Sequence, residues 1–289
     1  MKYIPPERIK ELRKLDILTY FRNYRPEDLL RYDENAYVLR CNSAVRIEKG
    51  YWSHWNRKGR IKESALDYLI EEENYTFLDA AGHLQRLYEV LPPVKALEND
   101  DPLKHFRLPW DNGDASQITS WLVEKQGFSR ELIDGLLSEG KIYEEKYTHH
   151  IVFPAFNREG KEVGAFRKSI THPYGETVPG SLPGYSFTLK KEGRETLHLF
   201  SDPLQLLRFA DTQRKRNAES EACMTLLPLG KQESFFLPLL PYLKEEDQLR
   251  KLLLHFDRDS AGIRAAEKLK KLLEKNIEVC EWAEEKEES

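Results

Sequence analysis

The sequence is poor in the residues that build disulfide frameworks and metal–thiolate sites. It has 3 cysteines in 289 residues, and Cys41, Cys223 and Cys280 lie too far apart for a zinc-site spacing or a disulfide scaffold. It also lacks an apolar run long enough to cross a bilayer, and the segment from Met1 to Pro6 does not have the pattern of a signal peptide. We therefore expect a globular protein of the reducing cytoplasm, with no membrane partner.

A strong excess of one charge is absent as well. The formal net charge is -4, with 33% charged and 40% hydrophobic residues. This balance is typical of a globular protein with a highly charged surface. It gives no global sign of nucleic-acid binding, so any contact with nucleic acid has to come from local basic patches. The length is sufficient for two domains or for a two-part core.

The most informative segment runs from Leu252 to Gly262, where an apolar run ends at two aspartates and a helical pattern follows. An unbroken apolar run of this length is typical of a buried parallel strand. Asp257 and Asp259 then lie at its carboxyl end, where their carboxylates can converge because side chains at i and i+2 point the same way. Mg²⁺ would suit such a pair. The same pattern is also common in helix N-caps and turns, and that alternative stays open.

An aspartate pair followed by Ser260, Ala261, Gly262 and a helix from 263 to 273 resembles the second acidic motif of Toprim domains. These are the metal-binding domains of primases, topoisomerases and some nucleases. The resemblance implies a Rossmann-like, mostly parallel α/β sheet with Mg²⁺ held by Asp257 and Asp259.

A strand at 196–200 that leads into a turn and a helix resembles the first Toprim motif, and 224–230 resembles the middle strand. The family has a glutamate directly after the first strand, as general base or metal ligand, but this chain has Ser201. Asp202 follows, and it can take a catalytic role only if the turn is rearranged, because neighbouring strand residues point to opposite sides. Gln205 stands where the family has another acidic residue. The acidic tail 281–289 is predicted to be solvated.

The first 91 residues are predicted to form a separate module. The pattern predicts a helix over 6–21, short strands at 36–41, 44–47 and 50–55, and helices at 65–70 and 77–84. This order resembles the zinc-ribbon module at the N-terminus of bacterial-type primases. A structural zinc needs four ligands, and Cys41 and His54 are the plausible candidates, so we expect a degenerate ribbon without zinc.

Aromatic residues interleaved with cations in this module suit single-stranded DNA, because bases stack on aromatic rings while cations hold phosphates. The candidates are Trp52, Arg57, Lys58 and Arg60. Tryptophan in a small module is also often a core residue, so a core role for Trp52 is the alternative.

Residues 92–105 are predicted to be a linker, and residues 106–192 a domain with helices at 118–125 and 130–137. Strands are predicted at 142–145, 150–156 and 163–168, the last two joined by a hairpin turn at 157–160. This segment resembles an uncharacterised domain that precedes Toprim domains in proteins of plasmids and integrative elements. It is also similar to the basic half of the primase catalytic core, which implies that Arg167, with Lys168, faces nucleic acid.

The sequence thus predicts an α/β protein: a ribbon-like module (1–91), a linker (92–105), an α+β primase-like half (106–192), a Toprim domain (193–280) and an acidic tail. One functional hypothesis is Mg²⁺-dependent primase-type nucleotidyl transfer, in which Asp257, Asp259 and Asp202 take part. The other is a catalytically inactive protein of a mobile element that binds nucleic acid or other proteins. A Toprim nuclease is a third, disfavoured because the glutamate is missing. The resemblance implies single-stranded DNA and proteins of replication or mobilisation as partners.

Overall fold

The computed structural model describes residues 4–54, 61–96, 106–173, 175–189, 195–216, 222–225, 236–242, 249–273 and 277–282. It divides into two units, Met1–Pro102 and Leu103–Ser289. The division falls inside the segment predicted as a linker. Each unit is described by itself below.

In its described residues, the first unit combines four α-helices and a short 3-10 helix (Pro26–Asp28) with an antiparallel sheet. The helices are α1 (Pro6–Leu12), α2 (Ile17–Tyr24), α3 (Ala65–Glu71) and α4 (Phe77–Val90), and the strands are β1 (Leu29–Asp33), β2 (Ala36–Leu39), β3 (Val45–Glu48) and β4 (Tyr51–His54), in the order β1-β2-β3-β4. In β3, Val45 and Ile47 are buried while the residues between and after them are half-buried, as expected for a strand with one face on the core. The core is rich in aromatic residues, including Tyr20, Phe21 and Tyr68.

The helix predicted over 6–21 is interrupted. Asp16 caps α2 by accepting a hydrogen bond from the backbone N–H of Thr19 at 2.8 Å, and the N–H of Ile17 bonds to the carbonyl oxygen of Glu63 at 2.9 Å. Aspartate is a favoured N-cap, so it starts a new helix here. Strand β1 was not predicted from the sequence, whereas strands β2 to β4 and helices α3 and α4 lie where they were predicted.

The beginning of the predicted linker is bound to the first unit. The Asn23 side chain donates to the carbonyl oxygen of Val94 at 2.8 Å and accepts from its N–H at 2.9 Å. The N–H of Ala96 donates to the Thr19 hydroxyl at 3.1 Å. Residues up to Ala96 are therefore attached to α2.

The second unit begins with helices and an antiparallel sheet. Helix α5 (Ser116–Ser120) continues as a π-helical turn, Trp121–Lys125, and α6 (Arg130–Ser138) follows; strands β5 (Tyr143–Glu144), β6 (Ile151–Phe156), β7 (Glu162–Lys168) and β8 (Gly175–Thr177) form a sheet in the order β5-β6-β7-β8. The buried Glu144 carboxylate accepts from the N–H groups of Gln117 and Ile118, both at 3.1 Å, at the start of α5. A carboxylate is stabilised there by the helix dipole.

The second sheet is mostly parallel, which confirms the predicted α/β class. Its strands are β9 (Thr188–Leu189), β10 (Thr196–Phe200), β11 (Ala222–Thr225), β12 (Lys251–His255) and β13 (Glu278–Glu281), in the order β13-β12-β10-β11-β9, and helices α7 (Pro203–Lys215) and α8 (Ser260–Leu273) follow β10 and β12. Only β9 runs antiparallel to its neighbour among the described strands of this sheet. Phe200 is paired with His255, so the turns after β10 and β12 lie at one edge.

The two sheets of the second unit share a hydrophobic core. Ile133 and Phe153 from the antiparallel half pack in one cluster with Phe200, Leu206 and Leu207 from the parallel half. The antiparallel half is thereby fixed against β10 and α7. No helix within the described ranges is long and apolar enough to cross a membrane.

Candidate functional site

Asp257 lies in the turn after β12 and is bound by two neutral side chains from the neighbouring turn. The Gln205 amide donates to one carboxylate oxygen at 2.9 Å, and the Ser201 hydroxyl lies 3.5 Å from the other. The Ser201 hydroxyl also donates to the Gln205 side-chain oxygen at 3.2 Å. Two neutral residues, at positions where the resemblance implied acidic groups, therefore contact the first aspartate.

Asp259 acts as the N-cap of α8. One of its carboxylate oxygens accepts from the backbone N–H of Ala261 at 3.0 Å and from that of Gly262 at 2.7 Å. This satisfies two of the N–H groups that have no partner within the helix. The capping alternative considered for the aspartate pair is thus realised by Asp259.

Asp202 lies in the turn after β10 and has two partners. One carboxylate oxygen accepts from the N–H of Leu204 at 2.7 Å and caps α7, and the other forms an ion pair with Lys168 at 2.9 Å. Lys168 is the last residue of β7, so this ion pair joins the antiparallel half of the unit to the edge that carries Asp257. Asp202 is therefore held by a cation and by the helix it caps.

Arg167 is engaged by carboxylates of its own sheet. Its guanidinium contacts Glu176 on β8 and donates to Glu145 at 3.2 Å. Of the two predicted cations, Lys168 is thus the one that reaches the acidic edge, although Arg167 was favoured from the sequence. A role for Arg167 in binding phosphate stays a prediction, and it would have to compete with these two glutamates.

A cavity of about 260 Å³ adjoins Asp257 on the α8 side. It is lined by Phe256, Arg258, Lys270 and Trp282 among others. The ammonium group of Lys270 is paired with Glu281 at 2.7 Å. The sequence did not predict this cavity, because Glu281 and Trp282 fall in the segment 281–289, which was predicted to be a solvated acidic tail.

Comparisons with known proteins give matches among solved structures. The chain is similar to the primase fragment of the bacteriophage T7 primase-helicase (16% identity, covering 62% of this chain and 71% of that one, TM-score 0.43). It is also similar to the DnaG primase catalytic domain bound to single-stranded DNA (12% identity, 57% and 62%, TM-score 0.37) and to the E. coli primase catalytic core (11%, 59% and 66%, TM-score 0.38). No family model and no curated protein matches the sequence. With TM-scores below 0.5, these similarities do not establish a function.

Two histidines, His198 on β10 and His255 on β12, lie on the strands that lead to the acidic edge. The sequence analysis did not predict this pair. His198 Nδ1 and His255 Nε2 are 2.8 Å apart, surrounded by Phe200, Phe209 and Trp282. Burial lowers the pKa of His198 to about 4, and burial together with the charge of His198 lowers that of His255 to about 3. Two histidines at inward positions of neighbouring strands are the signal that could have revealed this pair.

Trp52 is a core residue, which corrects its assignment as a stacking platform. It is 3% exposed, its indole N–H donates to the carbonyl oxygen of Ser64 at 3.2 Å, and its ring meets that of Tyr68 edge-on. A base cannot stack on a ring that is covered in this way. Arg57, Lys58 and Arg60 lie outside the described residues, so their role stays a prediction.

The candidate zinc ligands have other partners. Cys41 lies 3.9 Å from the Tyr68 hydroxyl, and His54 lies 3.7 Å from Glu72. Within the residues that the structure describes, no group of three or more histidine, cysteine, aspartate or glutamate side chains could hold a metal ion. The expectation of a ribbon without zinc stays a prediction for metal analysis.

Proposed function

We propose that this chain binds single-stranded DNA on a primase-like core whose acidic site does not support nucleotidyl transfer. The observation that carries the proposal is the arrangement around Asp257. Neutral Gln205 and Ser201 bind its carboxylate, while Lys168 and Arg258 bring positive charge to the same edge. Because Asp259 caps a helix and Asp202 is paired with Lys168, the edge is poorly suited to hold catalytic metal ions, and Lys168 and Arg258 are its groups that can contact a phosphate.

The absence of catalysis is supported by the donor groups. Two-metal phosphoryl transfer needs carboxylates that bridge and orient the ions, and Mg²⁺ selects charged oxygen ligands. Here Asp259 caps α8, Asp202 is paired with Lys168, and Asp257 accepts an amide hydrogen bond. These residues fit weak binding of one Mg²⁺ at Asp257 and do not fit a catalytic pair of ions, so we derive no metal-dependent step.

The binding of DNA is supported by cations on and beside α8. This helix contains Arg264, Lys268, Lys270 and Lys271 against a single acidic residue, Glu267. Arg264, Lys268 and Lys271 are exposed. The Lys168 side chain is largely buried and is paired with Asp202, so a phosphate that contacts Lys168 has to compete with this carboxylate. Helix α8 itself therefore has an excess of positive charge, although the whole chain has a net charge of -4.

We further propose, from the resemblance described above, that the chain acts in the replication or transfer of a plasmid or other mobile element. Its partners would then be proteins of replication or mobilisation, and its setting the cytoplasm. The alternative, Mg²⁺-dependent primase-type synthesis, is favoured by the order of Asp257, Asp259 and Gly262 at the start of α8. Incubation with template, nucleotides and Mg²⁺ or Mn²⁺ distinguishes the two: primer synthesis would establish the alternative.

The test of DNA binding is fluorescence anisotropy with a labelled oligothymidylate at several salt concentrations. Lys168→Ala should weaken binding and lower the salt slope by about one, because one phosphate contact is lost. Asp202→Asn should strengthen binding, because it releases Lys168 while asparagine still caps α7. Lys125→Ala, which removes an exposed cation of the same unit, is the matched control. Absence of binding at low salt would refute the proposal.

A further inference from the structure

Two exposed aromatic side chains of the second unit, Trp110 and Tyr147, both lie near Lys146 and take no part in the site around Asp257. Trp110 is 67% exposed and Tyr147 is 72% exposed. The ammonium group of Lys146 lies 5.8 Å from the ring centroid of each. Scattered exposed aromatics are ordinary, but two rings that flank one cation form a contiguous amphipathic patch of the kind that marks an interaction site.

The backbone holds this patch in a fixed shape. The N–H of Lys146 donates to the carbonyl oxygen of Trp110 at 2.8 Å. The backbones of Asp111 and Glu145 form an isolated antiparallel β-bridge. The turn that carries Tyr147 is closed by a hydrogen bond from the N–H of His149 to the carbonyl oxygen of Glu145 at 3.0 Å. Little backbone freedom remains to be lost when a ligand binds, and preorganisation of this kind favours affinity.

The patch lies at the same end of the antiparallel sheet as Lys168. Glu144, at the end of β5, is paired with Ile151, and Ile151 is paired with Lys168. Neighbouring strands are about 4.8 Å apart, so the backbones of Glu144 and Lys168 are separated by about 10 Å. The loop with Lys146 and Tyr147 follows Glu144 directly. A bound chain a few nucleotides long could therefore touch both the patch and Lys168.

We propose that Trp110, Lys146 and Tyr147 form a base-stacking platform for single-stranded nucleic acid. The inference rests on the proposed DNA binding and adds the place where the bases are held. Each ring offers a face for a base, and Lys146, next to both rings, offers a charge for the phosphate that joins two bases. Both rings lie within 5.8 Å of one ammonium group, a span that about three stacked nucleotides cover at ~3.4 Å each.

The charge of the patch favours nucleic acid over a proline-rich peptide, which also binds to exposed aromatic rings. Glu145 is paired with Arg167 at 3.2 Å, whereas Asp111, which accepts from the N–H of Gly113 at 2.8 Å, keeps its charge beside the patch. Lys146 is the cation that lies next to both rings, where a phosphate between two stacked bases would meet it. A neutral polyproline segment would make no use of it.

The experiment compares two labelled strands of about 12 units by anisotropy: oligothymidylate and a strand of abasic deoxyribose phosphates, which keeps the charge and lacks the bases. The wild-type chain should prefer oligothymidylate. Trp110→Ala and Tyr147→Ala should each weaken oligothymidylate binding about tenfold without changing the salt slope, and the preference should disappear in the double variant. Lys146→Ala should instead lower the slope by about one.

Phe77→Ala is the matched control, because Phe77 is a partly exposed aromatic residue with Arg13 at 5.9 Å in the first unit. The platform is refuted if the Trp110/Tyr147 double variant still prefers oligothymidylate over the abasic strand. In that case, weaker oligothymidylate binding by Lys168→Ala would show that the proposed DNA binding stands. If the wild type binds neither strand at low salt, both proposals fail. Binding of a proline-rich peptide that Trp110→Ala abolishes, with oligothymidylate binding unchanged, would also refute the platform.

Discussion

The α carbon of Gly262 lies so close to the backbone of Asp257 that there is no room for a side chain. A Cβ at this position would be 1.9 Å from the Asp257 carbonyl oxygen. Gly262 is buried in the first turn of α8, and its N–H donates to the Asp259 carboxylate at 2.7 Å. Because residue 262 is a glycine, the first turn of α8 can pack directly against the turn that positions Asp257.

Gly262→Ala should therefore disturb the turn and destabilise the protein. The obstacle is backbone, which cannot rotate away as a side chain can, so we expect a loss of about 1–3 kcal/mol in the free energy of unfolding. Urea denaturation followed by circular dichroism measures this. Gly135→Ala in α6 is the control: nothing lies within 4 Å of its added Cβ, and it should stabilise by about 0.5–1 kcal/mol. Equal effects of the two substitutions would contradict the crowding at position 262.

Mg²⁺ should bind weakly to the wild-type chain and more weakly after Asp257→Ala. Asp257 lacks a carboxylate partner because Gln205 and Ser201 are neutral, so water has to complete the shell of the ion. Ser201→Glu should tighten binding about tenfold by adding a charged oxygen. Titration calorimetry compares the three proteins. Tight binding that persists in Asp257→Ala would show that the ion sits elsewhere.

Metal analysis of the purified protein should find no zinc. Cys41 and His54 are too few to form a four-ligand site, and within the described ranges no cluster of metal-binding side chains supplements them. Treatment with a chelator should accordingly leave the thermal unfolding midpoint unchanged. One zinc per chain, lost together with stability in Cys41→Ser, would overturn this prediction.

Stability should decrease as the pH falls from about 6.5 towards 4. The pKa of His198 is lowered to about 4, whereas in the unfolded chain it has its usual value near 6.5. Between these values the unfolded chain binds the proton more readily, so acid favours unfolding by up to about 1.4 kcal/mol per pH unit. Urea denaturation of His198→Leu/His255→Leu should show a flatter pH profile in this window. The exposed His172→Gln should not; if both variants respond alike, the buried pair is not the cause.

Much of the fold could be predicted from local patterns. The apolar runs of β10 and β12, each followed by a turn and a helix, have a strong signal because both faces of a parallel strand are buried. The interruption at Asp16 could not be predicted, because it depends on a backbone hydrogen bond from Ile17 to Glu63, far away in sequence. Strand β13 was missed because Glu278 and Glu281 are exposed and resemble the acidic tail that follows.

The candidate site was predictable in its position and less so in its contacts. Pairing of Phe200 with His255 brings the two predicted turns to one edge, as the resemblance implied. Which cation of the Arg167–Lys168 pair reaches that edge depends on Glu176, opposite Arg167 on β8, and on Glu145, directly after β5, which both bind Arg167. Side-chain competition of this kind leaves no periodic signal in the sequence.

The order of strands in the two units has a consequence for the rate at which each unit folds. Strands β2 and β3 are joined by a short turn, and Ala36 is paired with Glu48. Strands β10 and β12 are far apart in sequence, since Thr196 is paired with Lys251. Closing the longer loop costs more chain entropy before any contact is gained, and non-local pairing slows folding. During refolding, pulse-labelling hydrogen exchange should therefore protect the amides of β2 and β3 before those of β10. Simultaneous protection would mean that the two units fold as one kinetic body.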